Sequence, residues 1–65
     1  MTAKVSLTAP PMTGARLVEL RRRKGRTQAQ VAGLVGVTES TIKRWEAGRS
    51  PISLAMTRLL LVVLA

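Results

Sequence analysis

The stretch from Thr27 to Gly48, TQAQVAGLVGVTESTIKRWEAG, constrains the chain more than any other, because two helix signatures are joined there by a glycine turn with almost no slack. Thr27 is placed to cap a helix while Gln30, three residues on, reaches back to the capping residue's N–H, the reciprocal pattern of a capping box. Gly36 follows the apolar Val35 and can take the left-handed conformation that ends a helix without a Cβ penalty. Thr38 is placed to cap the next helix, with Glu39 behind it putting negative charge at the positive end of the helix dipole. Ile42 and Trp45 then share one face, and Gly48 is the stop. Helices joined this tightly touch near the turn and need a small residue at the contact, for which Ala32 and Gly33 are the expected pair. Val31, Val35, Val37, Ile42 and Trp45 are expected where the inner faces meet, at a crossing angle of about 90–120°. The pattern predicts a helix-turn-helix.

The flanks supply a helix on either side. Thr13 is placed to cap a helix from Gly14 to Lys24 that stops at Gly25, with Leu17 and Leu20 facing inward beside Arg21, and Arg16, Arg22, Arg23 and Lys24 facing out. After Gly48, Arg49-Ser50-Pro51-Ile52 reads as an irregular connection with Ile52 in the core, and Ser53 caps a last helix running to about Leu64. The apolar residues of that helix surround its axis. One face is expected to pack inward and the rest, with Leu61 and Val62, to form an exposed patch of the kind that marks an interface. Met1 to Met12 has few large apolar residues and ends in Pro10-Pro11 before Met12, so neither helix nor core burial is expected there. It reads as a flexible arm, although Lys4 to Thr8 alternates in polarity as an added strand or an arm along DNA would.

At 65 residues the chain makes one domain and buries only about 60% of the surface that its unfolded form exposes. With no Cys and no His, disulfides, Cys/His metal sites and thiol or imidazole catalysis are excluded, and no cofactor is expected. Self-association is the remaining means of stabilising so small a core. A formal charge of +8 calls for a polyanionic partner, with nucleic acid foremost. The longest apolar run, Leu59 to Ala65, has seven residues against the roughly 20 needed to span a bilayer, and the N-terminus does not read as a secretory signal. The expected location is cytoplasmic.

The run LRRRKGRTQAQVAGLVGVTESTIKRWEAGRSP resembles the Cro/C1-type (XRE) helix-turn-helix transcriptional regulators. The resemblance is carried by Leu20-Arg21, Thr27-Gln28, Ala32 with Gly36, and Trp45-Glu46 with Gly48, which are specific as a set. It implies an all-α, compact four-helix, lambda-repressor-like DNA-binding domain over 13–65, with the helix-turn-helix at about 28–47, the last helix at about 53–64 and a flexible N-terminal arm over 1–12. It also implies that Gln28 contacts a phosphate and that Glu46 pairs with Arg21 to clamp the first helix to the third. Arg26 departs from the family, where that position is commonly apolar; the change is expected to weaken packing between the first two helices and to set another cation near phosphate.

With Ile42 and Trp45 buried, a 100° step per residue puts Ser40, Lys43, Arg44 and Ala47 on the opposite face of the third helix, which in this motif enters the major groove. Arg44 can pair with O6 and N7 of guanine, Glu39 at the helix's N-terminal end can accept from the amino group of cytosine, and Ser40 can serve either role. Thr38 and Arg49 are further phosphate candidates. Trp45 reads as core rather than as a base-stacking platform, having no aromatic neighbours. The expected function is that of a repressor of phage or mobile-element type, binding a palindrome in double-stranded DNA as a homodimer. The alternatives are an antitoxin that grips a protein toxin, and a membrane-active cationic peptide; against the latter, the cations lie mostly outside the apolar segment. An enzyme is not expected, since no nucleophile with a base, paired carboxylates or phosphate loop can be assembled.

Overall fold

The computed structural model describes residues 11–65, and the described residues contain helices and connections but no strand. Helix α1 spans Gly14–Arg23, α2 Gln28–Val35, α3 Glu39–Glu46 and α4 Leu54–Val63. Each begins at a hydroxyl cap. Thr13 accepts from the amide of Arg16, Thr27 from Gln30, Thr38 from Thr41 and Ser53 from Met56, so one amide that the helix cannot satisfy is satisfied at every start. The capping box at α2 is complete in both directions. Gly36, at φ 78°, turns the chain out of α2 in the left-handed region that only glycine enters freely, which lets α3 begin three residues later.

The inward faces are those the apolar spacing predicts. Leu17 and Leu20 of α1, Val31, Ala32 and Val35 of α2, Ile42 and Trp45 of α3, Ile52 of the connection, and Leu60 and Leu64 at the end of α4 form a single core, with Val37 packed at its edge. Helix α3 lies against both α1 and α2, and α4 closes the core by packing on α2. Trp45 is a core side chain.

Two expectations do not hold. Gly33 is exposed with open space where a Cβ would stand, so it does not serve the helix contact; Ala32 alone does, because it sits on the buried side of α2. The close approach falls at Gly14 instead. A Cβ there would overlap the carbonyl oxygen of Trp45 and lie 3.0 Å from that of Glu46, since the start of α1 abuts the end of α3. The second concerns Met1 to Met12. Residues 1–10 lie outside the described residues, with them the alternating segment Lys4 to Thr8, but Met12 is a core residue. Its amide donates to the Thr57 hydroxyl at 2.8 Å, and that hydroxyl donates in turn to the Ser53 carbonyl at 2.9 Å. The core thus reaches at least one residue further toward the N-terminus than expected, because α4 supplies both an apolar surface and a polar anchor for the chain there. No helix among the described residues is long and apolar enough to cross a membrane.

Candidate nucleic-acid interface

Burial of Ile42 and Trp45 fixes the rotation of α3 and leaves Glu39, Ser40, Lys43, Arg44 and Ala47 exposed. At the far end Gly48 (φ 75°) and Arg49 fold back, the Gly48 amide donating to the Trp45 carbonyl at 3.1 Å and the Arg49 amide to the Arg44 carbonyl at 2.9 Å. This is the Schellman arrangement, which satisfies the last carbonyls of a helix. It brings Arg49 beside the helix, so that Lys43, Arg44, Ala47 and Arg49 line one open depression. Sequence reasoning placed Lys43 and Arg44 with the bases and Arg49 with the phosphates. The structure sets all three cations around the same concavity, which suits an anion better than any neutral ligand.

The polar side chains on this face hold one another loosely. Glu39 and Lys43 approach to 3.8 Å, and Arg44 Nη2 donates to Thr41 Oγ1 at 3.4 Å. Such exposed contacts contribute a few tenths of a kcal/mol at most, about 0.3–0.5 for a helical pair, and exchange readily for better partners on a ligand. Thr38 is differently engaged. Its hydroxyl accepts from the Thr41 amide at 3.2 Å and lies 3.0 Å from the Thr41 hydroxyl, a contact in which either oxygen can be the donor.

A second cluster lies where α1, α2 and α3 meet. Arg21 Nε donates to Glu46 Oε2 at 2.6 Å and Nη2 to Oε1 at 3.1 Å, while Nη1 donates to the Arg26 carbonyl at 3.1 Å. Gln28 Nε2 donates to the same Glu46 Oε1 at 2.9 Å, a contact that no local pattern around either residue predicts. The side chains of Glu46 and Arg21 are only 8% and 14% exposed. Burial by itself would raise the Glu46 carboxyl, but hydrogen bonds from Arg21 and Gln28, with the charges of Arg21 and Arg22, outweigh it and hold the group below its ordinary value. The hydrogen bond to Glu46 also raises the Arg21 guanidinium against the opposing effect of burial, so both partners stay charged. The Arg26 side chain is exposed, and its carbonyl, not its charge, enters this cluster.

Every carboxylate side chain in the protein is paired. Glu19 bridges Arg16 at 2.9 Å and Arg23 at 3.1 Å, Glu39 faces Lys43, and Glu46 holds Arg21. Among the described residues Arg22, Lys24, Arg26, Arg44, Arg49 and Arg58 have no carboxylate within 4.0 Å, and together with the α3 face they make the surface strongly electropositive. On α4, Val62 is 73% exposed and Leu61 47%; Leu61 also borders an open apolar groove with Pro11, Met12 and Thr57. No group of His, Cys, Asp or Glu that could hold a metal ion occurs among the described residues.

No curated protein and no solved structure is significantly similar to the chain. The helix-turn-helix domain family matches it across residues 13–65, a span that takes in all four helices, and the chain belongs to that family.

Proposed function

We propose that this protein is a sequence-specific DNA-binding transcriptional regulator, a repressor that occupies a palindromic operator as a homodimer. The observation that carries the reading is the outward face of α3, where Lys43 and Arg44 stand with Arg49 around one concavity on the second helix of a helix-turn-helix. Arg44 reads guanine, Glu39 and Ser40 read neighbouring base edges, and Lys43 adds a contact in the groove. Arg49, Arg26, Thr38 and the start of α2 at Gln28 hold phosphates and fix the register. The homodimer forms through the exposed face of α4 at Leu61 and Val62, which is more apolar than one protomer buries. The complex acts in the cytoplasm at the nucleoid, and its mechanism is occlusion, set by the protein's own concentration.

Selection of bound sequences from random duplex DNA at a fixed salt concentration tests this directly. A palindromic consensus, with half-site centres about 10–10.5 bp apart or a multiple of that, is the expected result. Binding without any sequence preference would reject the regulator reading, and copurification of an unrelated protein on the α4 face would favour an antitoxin instead.

A further inference from the structure

Gln28 is the first residue of α2, and its side-chain amide is not free. Because a carboxylate only accepts, the amide nitrogen must face Glu46, and that fixes which way round the amide sits. The same Glu46 oxygen also receives Arg21 Nη2 at 3.1 Å, while the other receives Arg21 Nε at 2.6 Å. One carboxylate at the end of α3 thereby anchors side chains of α1 and α2 at once. Thr27 caps the amide of Gln30, and the amides of Gln28 and Ala29 have no acceptor within the helix. A phosphate at this helix start would meet those two amides and the remaining N–H of the Gln28 side chain.

We infer that, in the DNA complex proposed above, Glu46 is a positioning residue that holds the Gln28 amide in place for the phosphate, so that DNA affinity is coupled to a side chain that itself faces away from DNA. Without Glu46 the Gln28 side chain regains its rotamers, and part of its contribution is lost to the entropy of fixing it again on binding. The effect is independent of base sequence, since a phosphate carries none.

The test is a double-mutant cycle on DNA affinity, measured with the selected duplex and with a random duplex, using Gln28→Ala, Glu46→Met and both together. Gln28→Ala should weaken binding to both duplexes by about tenfold, the scale of a hydrogen bond to a charged group. Glu46→Met should weaken it several-fold in the same even manner, and the double variant should bind about as well as Gln28→Ala alone. If Glu46→Met is unfolded at the assay temperature by circular dichroism, the pair Arg21→Met/Glu46→Met, in which no charge is stranded, replaces it as the Glu46 arm of the cycle. Losses that multiply, or a Glu46 variant that is folded and binds like the parent, would overturn the inference while leaving the DNA-binding reading intact. Failure of the unsubstituted chain to bind any duplex would defeat that reading itself.

Discussion

Removing either partner of the Arg21–Glu46 pair should come close to unfolding the protein. Glu46→Ala leaves Arg21 Nε, Arg21 Nη2 and Gln28 Nε2 without their acceptor, and Arg21→Ala leaves a buried carboxylate with Gln28 as its one remaining donor. Loss of one member of a buried pair costs about 3–5 kcal/mol. A domain of this length has a total stability of only about 3–10 kcal/mol, and each kcal/mol lowers the melting temperature by about 4–8 °C, so a fall on the order of 20 °C is expected. The double variant strands no charge. Its loss should therefore be smaller than the sum of the two single losses by about 1–3 kcal/mol. Circular dichroism melts of the four proteins, followed also by fluorescence of Trp45 in the core, measure all of these quantities. Additivity within about 0.5 kcal/mol would mean that the pair does no work in the fold.

The pH dependence gives the same argument a sign. Glu46 is held below its ordinary value in the folded protein, so on acidification the unfolded chain takes up its proton first, and the stabilisation present above about 4.5 is lost as pH falls through the folded value. In Arg21→Ala the balance reverses, because burial, the largest single influence on Glu46, then faces only the Gln28 hydrogen bond and the charge of Arg22, the smallest of the opposing influences. That variant's carboxyl should be raised, the folded form should take up the proton first, and its deficit relative to the parent should narrow as pH falls from 7 toward 4. A deficit that stays constant over that range would show that the cost of the substitution lies in lost packing by the arginine stem rather than in a stranded charge.

Gly14→Ala should destabilise by about 1–3 kcal/mol despite alanine's better helix propensity, since its Cβ meets backbone carbonyls of α3, whereas Gly33→Ala, with open space around it, should stabilise by about 0.5–1 kcal/mol; denaturant midpoints separate the two. Val62→Glu should leave the monomer fold intact and abolish the dimer in sedimentation, and an unsubstituted protein that is monomeric at high concentration would end the α4 interface proposal. Arg44→Ala should cost about 1–3 kcal/mol on the selected duplex and flatten the preference for guanine at one position per half-site, an outcome checked by repeating the selection. Affinity of the parent should fall steeply with salt, with a slope in log–log form of about 0.9 per phosphate contacted.

What was legible in the sequence is what short-range geometry dictates. The caps at Thr13, Thr27, Thr38 and Ser53 and the left-handed Gly36 each depend on residues within one turn, and the outward face of α3 follows once Ile42 and Trp45 are taken as buried. The illegible contacts join distant segments. Nothing local marks Gly14 as the glycine that a helix end would press against, or Gly33 as one with room to spare, because a small residue satisfies a tight contact and an empty space equally well. Thr57 carries no sign that its hydroxyl receives the amide of Met12, 45 residues away, and an oligomer face on α4 can be inferred from excess apolar residues but not rotated into place. Gln28 is the instructive case. Its position at the helix start suggests a free side chain available to phosphate, whereas its amide is already bonded to Glu46, so the residue named for DNA and the residue named for the fold belong to one cluster. With all three carboxylates engaged by cations, a substitution in that cluster changes stability and electrostatic surface together. Separating the two requires affinity to be measured on variants whose folding has been measured first.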